Sequence, residues 1–438
     1  MRFLIHSTCG DGLGIANWLQ NVEGHEVFFY CNDEHFRDCG QGIVEHVNSL
    51  KAGISKAPEA IIFDMAGSGE VADSLKMEGY PVIGAGKFND LIEYDRSFGM
   101  DLCRKVEIAV PEYQVFKRTK LAKAISFLEK SEKTYVLKPD NNLALELTYV
   151  AKDAEDMIKY LHWCEDQKLL KGDFLLQEKV TGVEVSTEVW FSLGKPLEGP
   201  NGTIEMKKFL TGNLGPATGC ESSVVWPYQS LEAPIVSATI AKLFPILEKL
   251  KYTGPLDINS IVTEDGTVYF LEFTPRFGYS AFYALIPLLK GNLGDFLMEL
   301  AVGEAKKVEM SQAFGMSLTI SIPPYPLDAS KVWNHKPFEV TAGKRVNGLS
   351  AEYFFPYDLK RENDEYKTAG KLGLIGYLSC HADNLASLNK LMHEKVKELE
   401  IPDIQYRTDG TARVEEDLPK LKTYGYEIPE FKLEALNV

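Results

Sequence analysis

The chain has 438 residues, 45% of them apolar and 25% charged, which is typical of a soluble globular protein of about three domains. Its formal charge of -16 at pH 7 argues against a general nucleic-acid or anionic-membrane surface, because such binding depends on summed basic charge. No apolar run approaches the ~20 residues of a membrane span. Residues 1–12 also lack the features of a signal peptide, so we expect a cytoplasmic protein.

The seven cysteines and eight histidines do not form a recognisable metal or disulfide pattern. The cysteines are scattered and contain no C-x-x-C pair, and no H-x-x-x-H occurs. No G-x-S-x-G is present either. These absences argue against a zinc centre, a disulfide framework and serine hydrolysis.

The first hundred residues have the pattern of an open parallel α/β domain. An apolar run at 2–6 is followed by Gly10-x-Gly12-x-Gly14 and a helical pattern over 15–21. Further strands are predicted at three places, which are 27–30, 60–64 and 81–84. The glycines do not complete the dinucleotide fingerprint, although Asp33 lies where a ribose-binding acid is expected, so a nicotinamide-dependent oxidoreductase is a minor alternative.

A small α+β module follows, and then a segment rich in glycine and proline. The pattern predicts helices at 125–130 and 153–166, the latter capped by Asp153. Strands are predicted at 135–139, 174–180 and 183–191, and the first of them carries Lys138. Residues 194–219 are predicted to form a long binding loop, and residues 233–250 a helix.

Residues 257–278 carry the most informative chemistry. Two apolar runs flank Glu264-Asp-Gly-Thr267, a turn signal that predicts an antiparallel hairpin. The hairpin would bring Asp257 and Glu272 together, and paired carboxylates with hard oxygen atoms suit Mg²⁺. Arg276 adds a planar fork that fits phosphate or carboxylate. The alternative is a pair of solvent-facing carboxylates with Arg276 as their counter-ion.

Strand-like and glycine-rich stretches continue from residue 311, with a helix predicted at 384–398. The predicted domains are therefore 1–110, 111–310 with a lid over 116–192, and 311–438.

The order of Lys138, residues 177–180, Glu184, Asp257 and Glu272 resembles that of the ATP-grasp superfamily. Within it the chain resembles the glycinamide ribonucleotide synthetase (phosphoribosylamine-glycine ligase) family over nearly its whole length. Five further segments carry the resemblance, namely 79–84, 91–98, 211–215, 271–278 and 405–410. The resemblance implies an α/β fold of three parts: an N-terminal doubly wound parallel-sheet domain, a central ATP-grasp domain with an α+β lid, and a C-terminal mixed β domain.

The family implies an ATP-dependent carbon-nitrogen ligase that forms an acylphosphate, with glycine and 5-phosphoribosylamine as small-molecule substrates and a role in purine biosynthesis. It also implies ATP and Mg²⁺, or Mn²⁺, and a monomer or homodimer. By the match, the metal ligands would be Glu272, Asp257 and Thr274, and the catalytic residues Arg276 and Lys138. ATP would be bound by Arg96, Lys138, Gln177, Glu178, Lys179, Val180 and Glu184. Substrate would be bound by Lys207, Lys208, Asn213, Gly215, Arg276 and Gly278.

Several of these residues have a plainer interpretation. Lys138 could be a solvated surface lysine, since unpaired lysines are seldom buried. Glu184 and Glu188 could share a solvent-facing side of one strand. Lys207 and Lys208 could be an ordinary pair of loop charges.

The chain also departs from the family pattern. It has Arg96 in place of a lysine, Thr274 in place of an asparagine, and residues 279–281 in place of an acidic stretch. Residues 141–147 contain neither glycine nor lysine where the family has a glycine-rich phosphate loop. These departures predict a divergent member. The alternatives to the family's own reaction are a ligase that joins a different amino acid and amine, and a nucleotide-binding homologue without turnover.

Overall fold

The computed structural model describes residues 1–139, 147–326, 342–349, 353–426, 428–429 and 431. Residues 141–146, which make up most of the predicted phosphate loop, lie outside the described residues.

The N-terminal part is a five-stranded parallel sheet in the order β3-β2-β1-β4-β5. Its strands are β1 Arg2–Ser7, β2 Glu26–Cys31, β3 Glu45–His46, β4 Ala60–Phe63 and β5 Val82–Ile83. Its helices are α1 Leu13–Asn17, α2 Leu50–Ile54, α3 Gly69–Met77, α4 Lys87–Tyr94 and α5 Arg96–Lys105. The central strands β1 and β4 are almost wholly buried, and β4 is entirely apolar, as expected when both faces of a parallel sheet are covered. The predicted doubly wound domain is confirmed.

A second, four-stranded sheet, called the lid below, has the order β6-β9-β7-β8. It overlaps the lid predicted over 116–192, whose limits stay a prediction. Its elements are β6 Tyr113–Phe116, α6 Leu121–Leu128, β7 Tyr135–Pro139, β8 Tyr149–Val150, α7 Ala154–Asp166 and β9 Phe174–Glu178. It has its own apolar core, in which Leu137, Phe174 and Leu161 are fully buried. The predicted cap of α7 is confirmed, because Asp153 accepts a hydrogen bond from the Asp156 amide at 2.8 Å.

The third sheet has nine strands and joins the middle of the chain to its C-terminal part. The strands are β10 Val183–Ser192, β11 Lys195–Pro196, β12 Asn201–Lys208, β13 Ala217–Pro227, β14 Gly254–Val262, β15 Val268–Thr274, β16 Phe314–Ser321, β18 Phe354–Pro356 and β21 Leu374–Ala382. Their order is β15-β14-β10-β12-β13-β16-β21-β18, with β11 paired to β10. A short sheet of β17 Arg345–Val346, β20 Glu365–Thr368 and β19 Leu359–Glu362 lies beside it.

Two predictions of local structure are wrong. The long loop predicted over 194–219 contains β11, β12 and the start of β13, because β12 pairs with a strand on each side and tertiary pairing overrides its polar sequence. The single helix predicted over 233–250 is divided into α8 Pro234–Ala238 and α9 Phe244–Lys249. Thr239 is non-helical between them, and Pro245 has no amide to continue a preceding helix.

The remaining helices are α10 Ala281–Leu285, α11 Leu293–Val302, α12 Leu385–Val396 and α13 Ala412–Thr423. Helix α12 corresponds to the helix predicted at 384–398. Strands from both sides of residue 310 share the nine-stranded sheet, so this predicted domain limit falls inside one hydrogen-bonded layer. Among the described residues, no helix combines the length and apolar character needed to cross a bilayer.

Candidate functional site

The predicted hairpin is confirmed as β14 and β15, which pair antiparallel around a turn at 263–267. Thr263 donates its amide to the Thr267 carbonyl at 3.0 Å, and Gly266 supplies the positive φ of +80° that the turn requires. The two predicted metal carboxylates are not opposite each other. Asp257 lies opposite Thr274, whereas Glu272 lies opposite Asn259. All four side chains line one cavity, so they share a face of the hairpin.

Glu272 is surrounded by cations. Its carboxylate lies 3.4 Å from the Arg96 guanidinium and 3.7 Å from Lys207 Nζ. Burial alone would raise the pKa of Glu272, but the charges of Lys207, Arg96 and Lys138 outweigh burial and hold that pKa at about 2. Glu272 is therefore a carboxylate at neutral pH, held among three positive side chains.

Lys138 connects the lid to this cluster. It lies on β7 and is only 9% exposed, and its Nζ donates to the Leu271 carbonyl of β15 at 3.5 Å. Burial and the charge of Arg96 lower its pKa to about 8. The alternative of a solvated surface lysine is wrong. A buried, weakly bonded cation at the junction of two sheets is well placed to meet an anion.

Glu184 and Lys207 form a second layer of charge beside Glu272. Lys207 Nζ lies 2.8 Å from Glu184, and Arg413 of helix α13 lies 3.2 Å from the same carboxylate. Burial raises the pKa of Glu184, but Lys207 and Arg413 bring it down to about 2. The alternative of a solvent face shared with Glu188 is wrong, because Glu188 is buried and accepts hydrogen bonds from Trp190 and Asn201.

The segment at the end of β9 connects the lid to the large sheet. The amides of Glu178 and Lys179 donate to the carbonyls of Glu112 and Thr134 at 2.7 and 2.8 Å. The Glu178 carboxylate pairs with Lys133 at 2.7 Å. Residues 178–181 line a cavity of about 650 Å³ together with the turn of the hairpin. Gln177 is buried beside them, and its Oε1 has no hydrogen-bond partner among the described residues.

Arg276 is fixed by a partner that the sequence does not reveal. Its Nε donates to Glu93 of helix α4 at 3.0 Å, its Nη1 donates to the Phe277 carbonyl at 3.2 Å, and its guanidinium lies over the ring of Tyr279. The ion pair joins the N-terminal part of the chain to the end of β15, which orients the guanidinium. Gly278 lines the same small cavity as Glu272.

The loop at 209–216 is held by the C-terminal part of the chain. Arg407, 1% exposed, donates to the Lys208 carbonyl and to Asn213 Oδ1, and it pairs with Asp409 at 2.8 Å. The Gly215 amide donates to the Phe209 carbonyl at 2.8 Å. Asn213 and Gly215 thus have structural contacts of their own, and the Lys208 side chain is exposed.

Seven of the predicted site residues lie close together in the structure, namely Arg96, Lys138, Glu184, Lys207, Asp257, Glu272 and Thr274. The structure also adds residues that the sequence interpretation missed. These are Glu93, Glu188, Glu205, Asn259 and Arg413. Period-two alternation would have indicated two of them, since Glu188 shares a strand face with Glu184 and Asn259 with Asp257. No such periodicity indicates Glu93 and Arg413, because they lie on helices that are distant from the site strands in sequence.

The oxygen donors present suit a hard cation. Asp257, Glu272 and Thr274 share one cavity, and carboxylate and hydroxyl oxygens are ligands that Mg²⁺ accepts. In the described ranges, however, no three His, Cys, Asp or Glu side chains converge in the arrangement of an all-protein metal site. This agrees with an ion that takes only part of its coordination from the protein and the rest from phosphates and water.

Comparison with known proteins shows which family the chain resembles. Residues 94–280 match the family model "Phosphoribosylglycinamide synthetase, ATP-grasp (A) domain". The chain is 24% identical over 367 residues to the phosphoribosylamine-glycine ligase of Clostridium acetobutylicum, covering 80% of this chain and 82% of that protein.

Solved structures share the fold. Phosphoribosylamine-glycine ligase from Thermotoga maritima has a TM-score of 0.70 and 19% identity, covering 93% of this chain and 100% of that one. The biotin carboxylase domain of the Hydrogenobacter thermophilus 2-oxoglutarate carboxylase, solved with MgADP, ADP and bicarbonate, has a TM-score of 0.64 and 11% identity, covering 97% and 99%. The predicted resemblance is confirmed: residues 94–280 match the ATP-grasp domain model of phosphoribosylglycinamide synthetase, and the chain shares its fold with a phosphoribosylamine-glycine ligase.

Proposed function

We propose that the protein is an ATP-dependent carboxylate-amine ligase that acts through an acylphosphate. The observation that carries the proposal is the convergence of Arg96, Lys138 and Lys207 on Glu272, where the lid meets the large sheet. One buried and two partly buried cations beside one ionised carboxylate suit the binding of polyphosphate together with a divalent cation. The substrates named for its relatives, glycine and 5-phosphoribosylamine, are the first candidates.

ATP would lie between the segment at 177–180 and the cations. The amides of Glu178 and Lys179 are already bonded to the protein. Gln177 Oε1 has no hydrogen-bond partner among the described residues, so we assign it, with the backbone at Val180, to the adenine edge. Glu184 would accept from the ribose hydroxyls. Lys138 and Arg96 would bind the phosphates, with Lys138 reaching them from the lid strand.

Phosphoryl transfer needs the charge on the γ-phosphate to be balanced. Glu272, with Asp257 and Thr274, would hold Mg²⁺, or Mn²⁺, which neutralises phosphate oxygens when bound. Arg276, oriented by Glu93, would stabilise charge on the transferring phosphoryl group or the acylphosphate. Lys207 lies on the other side of Glu272, where it would bind the substrate carboxylate or phosphate.

The reaction has two steps. A carboxylate oxygen attacks the γ-phosphorus and ADP leaves, which produces an acylphosphate. The amine nitrogen then attacks the acyl carbon, the bond to phosphate breaks, and the nitrogen loses a proton to solvent as the amide forms. The lid that carries Lys138 would exclude water from the acylphosphate. We place this chemistry in a cytoplasmic monomer or homodimer.

Turnover with defined substrates tests the proposal. Purified protein with ATP, Mg²⁺, glycine and 5-phosphoribosylamine should release ADP and phosphate. If this pair releases none and another amino acid and amine release both, the chain is a ligase with different substrates. This second candidate function, a ligase with different substrates, is favoured by Thr274 and by residues 279–281, which differ from the family pattern. ATP binding without consumption across amino acids and amines would identify a homologue without turnover.

A further inference from the structure

The glycine turn at 10–14 lies at the switch point of the N-terminal sheet. Strands β1 and β4 are neighbours in the order β3-β2-β1-β4-β5, and the chain leaves them towards opposite edges of the sheet. Ligands of open α/β sheets bind in the crevice that such a pair of strands forms at its carboxyl ends. Ser7 ends β1 and Asp64 directly follows β4, so both residues lie at this crevice.

The crevice adjoins the end of β15, which carries Arg276. Tyr279 donates its hydroxyl to the Asp64 carbonyl at 3.4 Å, and the Arg276 guanidinium lies over the ring of Tyr279 with its Cζ 5.3 Å from the ring centroid. Burial raises the pKa of Asp11 to about 6, although the hydrogen bond from Cys9 and the charge of Arg276 oppose this shift. Arg276 is assigned to the acylphosphate, so an amine that attacks the acylphosphate would approach beside this crevice.

The amides that a phosphate would need at the turn are occupied within the chain. Ser7 Oγ accepts from the amides of Gly10 and Gly12 at 3.1 and 3.2 Å, and it donates to Asp64. The Leu13 amide donates to the Gly10 carbonyl at 3.0 Å. A Cβ at Gly12 would lie 2.8 Å from Asp64 Oδ2, so this carboxyl group packs directly against the turn. Glycine turns bind phosphate through free amides, and here Asp64 supplies the anion from inside the chain.

Two tyrosine hydroxyls hold the turn from the other side. Tyr357 donates to the Cys9 carbonyl at 3.0 Å, and Tyr283 of helix α10 donates to the Asp11 carbonyl at 2.8 Å. The ring of Tyr283 leaves no room for a side chain at Gly14. Helix α10 and the C-terminal part of the chain thus fix the turn in its closed arrangement. A phosphate could enter only if several of these hydrogen bonds broke.

The charge at the crevice also opposes a phosphate. Asp64 is fully buried and Asp11 is 7% exposed, and Asp64 Oδ1 has no hydrogen-bond partner among the described residues. Burial and the charge of Asp11 raise the pKa of Asp64 to about 7, so both carboxyl groups are mostly ionised at pH 8. Arg276, the cation whose charge acts on Asp11, is already paired with Glu93 at 3.0 Å. An anionic group placed here would meet two like charges.

We propose that the acceptor amine of the ligase carries no phosphate, and that the closed turn with Asp11 and Asp64 enforces this selectivity. The acceptor would be an amine whose remainder is neutral or positively charged. The inference rests on the second candidate function, a ligase with different substrates, and deepens it by naming the class of the acceptor. By this inference 5-phosphoribosylamine is a substrate that the turn rejects.

Matched amines are the first test. Amine-dependent ADP release is measured at pH 8 with ATP, Mg²⁺ and each of the twenty common amino acids. Three pairs are compared, namely ribosylamine with 5-phosphoribosylamine, ethanolamine with O-phosphoethanolamine, and glucosamine with its 6-phosphate. For any pair that is used, kcat/KM of the phosphate-free member should be at least about 100-fold higher, because like charges brought together cost a factor of this order. Equal or better use of the phosphorylated member would overturn the inference and leave the ligase activity established.

Variants locate the selectivity. Asp11→Asn keeps an acceptor for Cys9 and removes the charge, so the preference for the phosphate-free amine should fall at least about fivefold. A merely structural role would lower kcat/KM for both members of a pair equally and leave their ratio unchanged. Asp11→Ser is a second variant in case the first folds poorly, as judged by circular dichroism. Asp364→Asn, whose side chain is 94% exposed, is the matched control. An unchanged ratio in the folded Asp11 variants would contradict the assignment.

Direct binding separates this inference from the proposed function. If no pair of substrates releases ADP, the proposed activity fails. Calorimetric titration of ribose 5-phosphate and of ribose into the protein with ADP and Mg²⁺ then decides the inference. Saturable binding of ribose 5-phosphate that is tighter than that of ribose would overturn it. Binding of ribose 5-phosphate that is no tighter than that of ribose, or binding of neither, would support the exclusion of phosphate.

Discussion

Asp257 lies directly opposite Glu188 in the ladder between β14 and β10. The neighbouring strand of the same hairpin carries Glu272 among Arg96, Lys138 and Lys207. One hairpin thus holds two carboxyl groups in opposite surroundings, and their pKa values move in opposite directions. The two groups should respond differently to mutation.

Glu272→Gln should abolish ligation while leaving the fold intact. The amide is isosteric, but it removes the negative charge that the three cations surround and the ligand proposed for Mg²⁺. The loss of several kcal/mol of charge stabilisation corresponds to a decrease in kcat of at least about 100-fold. The measurement is ADP release with the best substrate pair, with Glu309→Gln, an exposed residue paired with Lys307, as the control. Full turnover in Glu272→Gln would exclude the metal role.

Asp257→Asn should preserve or increase stability at neutral and alkaline pH. The pKa of Asp257 is raised by burial and by Glu188, so the folded state binds more protons than the unfolded state. Stability from this group therefore falls as pH rises from about 3.8 through the folded pKa. Asparagine does not ionise, so the variant avoids this loss of stability. Its free energy of unfolding should exceed that of the wild type by about 1 kcal/mol or less, the value of an opposed like-charge pair. Thermal unfolding between pH 4 and pH 8 measures the effect, and a variant less stable than the wild type only at pH 8 would contradict it.

ATP affinity should fall as pH rises above about 8. The pKa of Lys138 is lowered to about 8 in the free protein, so the side chain loses its charge in this range. Phosphate binding favours the protonated form, and Kd for ATP should increase by up to about tenfold per pH unit above 8. Titration calorimetry from pH 7 to pH 9.5 measures this. Lys138→Met should bind ATP weakly, and its Kd for ATP should change little between pH 7 and pH 9.5. If Kd in that variant depends on pH as steeply as in the wild type, another group is responsible for the titration.

Arg407→Met should destabilise the chain and loosen the loop at 209–216. The variant leaves the Asp409 carboxylate, the Lys208 carbonyl and Asn213 Oδ1 without their shared donor. Removing one partner of a buried ion pair costs about 3–5 kcal/mol. Chemical denaturation measures the loss. Arg345→Met, which breaks an exposed pair with Glu365, should cost no more than about 1 kcal/mol, and equal losses in the two variants would contradict the role of Arg407.

Turn residues and alternation were sufficient to predict the hairpin that carries Asp257 and Glu272. Lys138 and Glu184 were assigned through the resemblance to the ATP-grasp superfamily, since their local sequence also fits a solvated strand face. Lys207 was ambiguous, because β12 was taken for part of a loop and only its pairing with β10 and β13 makes it a strand.

Other contacts depend on tertiary structure. Glu93 reaches Arg276 from 183 residues away, and Arg413 reaches Glu184 from 229 residues away. No local pattern encodes such a pair, since each residue alone is typical of a solvated helix face. The division between α8 and α9 was also missed, although Pro245 marked it.

Arg407 binds the loop at 209–216, and Arg413 pairs with Glu184. These two contacts limit how the protein can be shortened. Both contacts come from the last forty residues of the chain and end inside the ATP-grasp domain. An expression fragment cut to residues 94–280 would retain every proposed nucleotide and metal ligand, yet it would lack the scaffold of one loop and one counter-ion of Glu184. The region that carries the proposed ligands is therefore not self-sufficient, because contacts from Arg407 and Arg413 complete it.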